Sequence, residues 1–265
     1  MLNRIEKKFK DLQRRKKKAF IAFITCGEPD LKTTKDLVIQ FERAGVDIVE
    51  LGVPFSDPLA DGVTIQESSQ RALKKGVTLK KIFQTVSSIR KFSQIPIALM
   101  SYYNPIFHFG EKEFIIQAKR LGVDGLIIPD LPPEEAEILL REAKAKHLST
   151  IFFLSPTTTK SRLKKIVQAS TGFIYYVSLT GVTGIRKNLS DDIIPNVRLA
   201  KRYTPKPICV GFGISNPNQI KSVSSIADGV IVGSAIIKEI VKNDRKKDLV
   251  NNVVGYVQRL TKVLS

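Results

Sequence analysis

Two carboxylates with unusual surroundings lie close together in residues 50–62 of this 265-residue chain. Side chains alternate along the predicted strand, so Ile48, Glu50 and Gly52 share one face of it. Burying an ionised carboxylate is costly, and burial therefore raises its pKa toward the range that suits a general acid or base. Asp61 follows on a loop rich in proline, aspartate and glycine. The pattern indicates acid/base catalysis, although a core glutamate held by a cation and turn-forming aspartates explain these residues equally well when taken alone.

Three glycine-bearing turns occur later in the chain, at residues 181–184, 211–213 and 233–235. Glycine lets a ligand approach backbone amides closely, and a helix N-terminus favours anions. Ser234 is expected to cap a short helix over residues 235–241. The turns together predict a phosphate site, and acid/base catalysis on a phosphorylated small molecule describes a lyase or an isomerase.

Eight short apolar or β-branched runs alternate with amphipathic stretches along the chain. Such alternation implies parallel strands joined by right-handed crossovers, and eight units match a (β/α)8 TIM barrel. An open doubly wound sheet is disfavoured because the first strand lacks the G-x-G-x-x-G turn. We therefore predict a single TIM-barrel domain over residues 1–265. The predicted strands span residues 19–27, 47–54, 96–102, 125–130, 150–156, 173–179, 207–213 and 229–235.

The predicted barrel places its chemistry at one mouth, because working groups in such barrels lie at the C-terminal ends of strands. An extra N-terminal helix, in which Leu2, Ile5, Phe9 and Leu12 recur at helical spacing, is expected to close the opposite end. Helices are also predicted at residues 31–44, 78–91, 111–121, 133–147 and 161–169. The residues expected at the mouth are Glu50, Asp61, Tyr102, Asp130 and Tyr175.

Composition excludes several classes of protein. The apolar runs are shorter than the roughly 20 residues of a membrane-spanning helix, and charges interrupt the N-terminus where an export signal is apolar, so a cytoplasmic protein is expected. Two cysteines and two widely spaced histidines form no metal-binding pattern. The net charge of +18 is dispersed and accompanies no nucleic-acid-binding module, so no nucleic-acid partner is expected.

Four motifs occur in a fixed order: E-L-G-V-P-F-S-D-P-L-A-D-G with T-I-Q after Val63, then G-V-T-G, G-F-G-I-S and G-S-A. In these motifs, and essentially from end to end, the chain resembles the α subunit of tryptophan synthase. The resemblance implies retro-aldol cleavage of indole-3-glycerol phosphate into indole and glyceraldehyde 3-phosphate, with no cofactor in this subunit. It also implies an α2β2 assembly with a pyridoxal-phosphate β subunit, to which the indole passes.

The resemblance also implies roles for individual residues. Glu50 matches the acid/base glutamate, Asp61 the aspartate that stabilises positive charge at the indole nitrogen, and Tyr175 the active-site tyrosine. Thr183 lies in a loop expected to close over the substrate and to hydrogen-bond Asp61, while Asp57 and its loop are expected to face the partner. The implied phosphate positions are Gly184, Gly213, Gly233 and Ser234. The implied apolar pocket for the indole consists of Phe23, Met100, Ile127 and Ile231, each of which is also explained as barrel core. Tyr102 is a further expected substrate-binding residue.

Two residues depart from the family pattern. Val63 stands where proline is usual, and Glu28 stands where aspartate is common. Without the fixed φ of proline, the loop that positions Asp61 is expected to be looser. Two alternative functions remain open on the sequence: a chain that mainly activates the β subunit and has weak chemistry of its own, and another phosphate-binding barrel such as a sugar-phosphate isomerase.

Overall fold

The computed structural model describes residues 2–177, 193–211 and 213–264. Within these ranges, the strands all pair in parallel and belong to one sheet. They are β1 (Ala19–Thr25), β2 (Ile48–Gly52), β3 (Ile97–Met100), β4 (Gly125–Ile127), β5 (Ser149–Ile151), β6 (Phe153–Leu154), β7 (Ile174–Val177), β8 (Ile208–Gly211) and β9 (Gly229–Val232).

The sheet is a nearly closed barrel. Its strand order is β5, β4, β3, β2, β1, β9, β8, β7, β6. The two edge strands, β5 and β6, are separated in the chain by Phe152 alone, so one interrupted strand occupies both edges. The predicted (β/α)8 barrel is therefore confirmed, and the interruption of the fifth strand is the detail that the sequence pattern did not indicate.

Helices surround this sheet and connect its strands. In the described residues they are α1 (Arg4–Arg14), α2 (Leu31–Arg43), α3 (Val63–Lys74), α4 (Leu79–Arg90), α5 (Tyr103–Phe109), α6 (Glu111–Leu121), α7 (Glu137–Ala145), α8 (Lys160–Ala169), α9 (Ile193–Lys201), α10 (Pro217–Ser224), α11 (Ser234–Lys242) and α12 (Leu249–Thr261). The helix predicted over residues 133–147 is wrong at its start, because a 3-10 turn, Pro133–Glu135, precedes α7. The connection after β2 holds two helices, α3 and α4, of which only the second was predicted.

Several of the predicted strands are too long at C-terminal ends that the structure describes. Strand β3 ends at Met100 and not at Tyr102, and β4 ends at Ile127 and not at Asp130. Apolar composition continues past these points, but the pairing with the neighbouring strands does not. The residues beyond the strand ends form the loops of the mouth, where the chemistry was predicted.

Apolar side chains form two clusters, one on each face of the sheet. The outer cluster lies between the strands and the surrounding helices, and it includes Ile24, Leu51 and Leu126. The inner cluster fills the barrel and contains Ile21, Ile48, Ala98, Ile127, Ile151, Phe173, Cys209 and Ile231, with Ile5, Phe9 and Leu12 from α1. Helix α1 thus closes the barrel at the starts of its strands, which confirms the predicted N-terminal helix. Leu2 precedes this helix and is exposed, so the predicted repeat begins at Ile5.

A buried ion pair fixes this closed end of the barrel. Asp124 is 1% exposed, and its two oxygens accept hydrogen bonds from Arg90 Nη2 at 2.8 Å, Ile97 N at 3.0 Å and Arg4 Nη1 at 3.0 Å. Asn3 Nδ2 donates to the Asp124 carbonyl at 3.1 Å. One carboxylate therefore joins α1 and α4 to the starts of β3 and β4.

We expect Asp124→Ala to lower the free energy of unfolding by about 3–5 kcal/mol, because it leaves the largely buried guanidinium of Arg90 without its counter-ion. Urea unfolding at neutral pH measures the loss. Asp11→Ala is the matched control, since Asp11 pairs with Arg14 and Arg15 on the surface and should matter little. Equal losses in the two variants would contradict a structural role for the Asp124 cluster.

Candidate active site

Glu50 lies in the middle of β2 with its side chain on the inner face of the barrel. Its neighbours in the sheet are Phe23 on β1 and Ala98 on β3. The side chain is fully buried, and neither carboxylate oxygen has a hydrogen-bond partner within the described residues. Burial raises the pKa of Glu50 to about 8. In the described part of the chain no cation holds this group, so Glu50 carries a proton at neutral pH.

Asp61 lies at the end of the loop that follows β2, and it is half-buried. Burial raises the pKa of its carboxyl group to about 6, and the hydrogen bond from Tyr102 Oη to Oδ2, at 3.1 Å, opposes that rise. Asp61 is therefore ionised at neutral pH while Glu50 is protonated. Two carboxyl groups whose environments separate their pKa values in this way are suited to two different roles.

Tyr175 lies on β7 with its ring against the backbone of β8. A Cβ atom built at Gly211 would approach Tyr175 Oη to 2.6 Å, so glycine is the residue that makes room for the ring. Burial first, and then the charges of Glu50 and Asp61, raise the pKa of the Tyr175 phenol well above 10. The phenol keeps its proton and lies within electrostatic reach of both carboxyl groups.

Tyr102 holds the loop that carries Asp61. The prediction that Tyr102 ends β3 is wrong, because the strand ends two residues earlier. Tyr102 instead directly precedes α5. Its hydroxyl accepts a hydrogen bond from Ala60 N at 2.9 Å while it donates to Asp61, and its ring stacks on Phe55 with centroids 5.2 Å apart. The side chain thus links the carboxylate, the backbone beside it and the aromatic ring at the start of the loop.

The residues implied for the apolar pocket lie around the barrel interior. Ile127 and Ile231 are buried in the inner cluster, and Met100 is half-buried against it. Phe23 is 4% exposed, and its ring fills the space beside two inward-facing glycines: a Cβ atom would meet it at 2.7 Å from Gly52 and at 3.2 Å from Gly233. These contacts place the ring of Phe23 at the ends of β2 and β9, on the mouth side of Glu50.

The predicted phosphate positions are described in part. Gly213 has φ of +57°, a conformation that favours glycine. Helix α11 begins at Ser234 itself, with Gly233 at the cap position and no side-chain capping bond, so the prediction that Ser234 caps the helix is wrong. Because the first amides of a helix lack intrahelical acceptors, this end presents free donors to an anion. Thr183 and Gly184 lie outside the described residues.

Sequence reasoning missed two polar contacts beside the site. Glu28, noted only as a departure from the family, is buried and accepts a hydrogen bond from Arg71 Nε at 2.7 Å. Gln66 was part of a recognised motif but had no assigned role, and its side-chain amide contacts the Asp61 loop. Asp130, expected at the mouth, is exposed and accepts from Tyr103 N at 2.9 Å, where α5 begins.

Three further features concern a cleft at the other end of the barrel, metal binding and membrane-spanning helices. A cleft of about 690 Å³ lies beside Asn3 and His147, at the closed end of the barrel and away from Glu50. Among the residues that the structure describes, no group of three or more histidine, cysteine, aspartate or glutamate side chains is arranged to hold a metal ion. No helix in those same ranges is long and apolar enough to cross a membrane.

The fold and the carboxyl groups at its mouth are typical of a TIM-barrel enzyme that works by acid/base catalysis. A family model described as "Tryptophan synthase alpha chain" matches residues 9–264. The chain belongs to this family, and the resemblance found in the sequence is thereby confirmed.

Curated relatives match the chain over most of its length. The tryptophan synthase alpha chain of Geotalea daltonii is 50% identical over 238 residues, which cover 90% of each chain. That of Thermoanaerobacter sp. strain X514 is 47% identical over 263 residues, covering 99% of this chain and all of the relative. The match therefore includes every element that carries the candidate site.

Solved structures agree in fold. Tryptophan synthase subunit alpha from Legionella pneumophila str. Paris superposes with a TM-score of 0.92 at 36% identity and covers 100% of this chain and 99% of its own. A chain of the tryptophan synthase complex from Pyrococcus furiosus gives a TM-score of 0.85 at 37% identity, covering 92% and 98% respectively.

Proposed function

We propose that the chain is the alpha subunit of a tryptophan synthase and that it cleaves indole-3-glycerol phosphate into indole and glyceraldehyde 3-phosphate. The observation that carries the assignment of the site is the fully buried carboxyl group of Glu50, which has no hydrogen-bond partner within the described residues, together with Asp61 held by Tyr102 in the loop that follows the same strand. Membership of the family favours the lyase over a sugar-phosphate isomerase. The retained carboxyl groups favour it over a chain that only activates its partner.

The reaction needs one proton delivered and one removed. Protonated Glu50 gives its proton to C3 of the indole ring, and the ring nitrogen becomes positively charged. The carboxylate of Glu50 then takes the proton of the hydroxyl group on the adjacent glycerol carbon. That oxygen forms the aldehyde carbonyl, the carbon–carbon bond breaks, and its electron pair returns to the ring. Glu50 ends as it began, so the protons balance without any other acid or base.

Asp61 and Tyr175 support this proton transfer electrostatically. The positive charge at the ring nitrogen is greatest between the two proton transfers, and an anion fixed beside it stabilises that state more than the ground state. We assign this anion to Asp61. Tyr175, kept protonated by its surroundings, is assigned to orient the reacting groups as a hydrogen-bond donor.

The remaining contacts to substrate are assigned by position. The phosphate is proposed to bind at Gly213, Gly233 and Ser234, together with Gly184, while Thr183 is proposed to close over the substrate and to hydrogen-bond Asp61. The indole ring is proposed to lie in the apolar pocket on the mouth side of Glu50. Its proposed lining residues are Phe23, Met100, Ile127 and Ile231, and Tyr102 is proposed as a further contact to the substrate.

The assembly is proposed from the relatives. The Pyrococcus furiosus neighbour is a chain of a tryptophan synthase complex, which supports a β-subunit partner for this chain. We propose an α2β2 assembly, pyridoxal phosphate held by the β subunit and not by this chain, and a cytoplasmic location. Residues 1–265 are proposed to form one domain that binds neither nucleic acid nor membrane.

The proposed partner surface lies at the mouth and includes exposed apolar side chains. Leu59, two residues after Asp57 in the loop that follows β2, is 90% exposed, and Phe107 on α5 is 66% exposed. Large apolar side chains left in water beside a catalytic mouth are typical of a docking surface. The indole produced there would have a short path to a partner.

We expect Phe107→Asp to weaken the activation of indole release by the β subunit at least tenfold, because it places a charge in the apolar contact. Phe92→Asp is the matched control, since Phe92 is 69% exposed but follows α4 at the closed end of the barrel. Titrating each variant with β subunit measures the effect. Equal activation of both variants would exclude the α5 surface from the interface.

One assay tests the proposed function against its alternatives. Purified chain is incubated with indole-3-glycerol phosphate, with and without a β subunit, and indole is measured. The lyase assignment predicts indole release by the chain alone and faster release with the partner. Stimulation of the β subunit without any indole release would support an activator, and turnover of aldose or ketose phosphates alone would support an isomerase.

A further inference from the structure

The turn that carries Asp61 is held from both sides. Within the turn, Asp61 N donates to the Pro58 carbonyl at 3.0 Å. On one side, Tyr102 Oη contacts both Ala60 and Asp61. On the other, Gln66 Nε2 reaches back from the first turn of α3 and donates to the carbonyls of Asp61 at 2.9 Å and Pro58 at 3.4 Å. One side-chain amide therefore contacts both ends of the turn.

We infer that Gln66 is a positioning residue that holds the Asp61 carboxylate in place for catalysis. The inference rests on the proposed function, since it gives Gln66 a part in the same reaction. Gln66 acts through the backbone of the turn and does not contact the reacting atoms. The carboxylate itself is fixed at one oxygen by Tyr102, and the orientation of the backbone that carries it depends on Gln66.

Helix α3 does not depend on this contact for its own position. Arg71, near the end of the helix, pairs with buried Glu28 at 2.7 Å, and Lys75 Nζ donates to the Pro29 carbonyl at 2.5 Å. These contacts join the far end of α3 to the loop after β1. Loss of the Gln66 amide should therefore release the turn while leaving the helix in place, so the effect is expected on catalysis more than on folding.

The size of the effect follows from what Asp61 does. A charge stabilises the transition state only where the charge develops, and a displacement of about 1 Å costs about 10²-fold in rate. The phosphate positions, Gly213 and Gly233, follow other strands, and within the described residues the hydrogen bonds of the Gln66 side chain go only to the Asp61 turn. Removing the amide donors is thus expected to lower kcat by about 10- to 100-fold and to change KM by less than about threefold.

The residue at the start of α3 provides a rescue. Val63 is the first helical residue, and its amide has no intrahelical acceptor. Gly62 before it has φ −76° and ψ 161°, an extended conformation that is compatible with a following proline. Val63→Pro is accordingly expected to stiffen the turn without strain. If Gln66 acts by restraining the turn, this second substitution should recover part of the kcat lost in Gln66→Met.

The test compares kcat and KM for indole release in the wild type, Gln66→Met, and Gln66→Met combined with Val63→Pro. Gln70→Met is the matched control, because Gln70 lies one turn further along α3 and is exposed. We expect kcat to fall only in the Gln66 variant, with partial recovery in the double variant. Should Gln66→Met not fold, Gln66→Glu keeps the length of the side chain, removes its donors and replaces it in the same comparison.

The outcomes separate this inference from the proposed function. If the wild type released no indole, the proposed function would be wrong. If the wild type were active and the Gln66 variant matched the Gln70 control, the positioning role would be wrong while the lyase assignment stood. An increase in KM without a fall in kcat would likewise overturn the positioning role. So would a fall in kcat that Val63→Pro does not partly reverse.

Discussion

Glu50→Gln is expected to lower kcat for indole release by about 10²–10⁴-fold, the usual contribution of a general acid or base. Glutamine has nearly the same shape as protonated glutamate, but it neither gives a proton to indole C3 nor accepts one from the glycerol hydroxyl. Because Glu50 is proposed to perform both proton transfers, we expect no other described group to compensate for its loss. Steady-state assays of indole release from indole-3-glycerol phosphate measure the loss.

The binding of glycerol phosphate is the control for damage to the fold in this variant. Glycerol phosphate should bind the Glu50→Gln variant as it binds the wild type, because the proposed phosphate site lies on other strand ends. Turnover within tenfold of the wild type would rule out Glu50 as the proton carrier. Loss of glycerol phosphate binding would instead indicate a disturbed barrel.

The same variant should change how stability depends on pH. Below pH 4.5, the ordinary pKa of the group, Glu50 is protonated in both the folded and the unfolded chain. As the pH rises toward about 8, the unfolded chain loses this proton and the folded chain keeps it, so the wild type loses stability. Glutamine removes this loss. The free energy of unfolding of the variant should therefore exceed that of the wild type increasingly between pH 4.5 and 8.

Asp61→Asn is expected to lower kcat by about 10²–10³-fold, because it removes the anion that stabilises the charged ring nitrogen. It should also change the pH profile of kcat/KM. In the wild type the acid limb should fall near pH 6, where Asp61 takes up a proton, and the basic limb near pH 8, where Glu50 loses one. The variant should lack the acid limb and keep the basic one.

Tyr102→Phe is a useful comparison for Asp61→Asn. It removes the hydrogen bond that lowers the pKa of Asp61 but leaves the carboxyl group in place. The acid limb should then move to higher pH and should not vanish. An acid limb that persists unchanged in Asp61→Asn would assign it to another group and would remove Asp61 from the mechanism.

The sequence predicted the architecture because its signals are local and repeated. Alternating runs identify parallel strands, and the period of two along β2 places Glu50 on the inner face beside Ile48 and Gly52. Strand ends were predicted less well. Apolar residues such as Ile128 continue beyond the last paired residue, and the end of a strand depends on whether its neighbours still pair with it.

The details of the site depend on contacts between distant parts of the chain. Sequence composition gives no sign that Tyr102 would reach Asp61 across 41 residues, or that Arg71 would pair with Glu28. Gln66 and the Asp61 turn are close in sequence, but their contact requires α3 to begin at Val63. This helix was not predicted. Capping was misassigned at Ser234 because glycine and serine are both common at that position.

The most direct test of the account is a product analysis with purified wild-type chain and indole-3-glycerol phosphate at pH 7. Retro-aldol cleavage predicts indole and glyceraldehyde 3-phosphate in equal amounts, formed without added cofactor or metal. The Glu50→Gln variant, assayed alongside, should form both products at least about 10²-fold more slowly. Consumption of the substrate without indole, or equal product formation by the two proteins, would contradict the proposed mechanism.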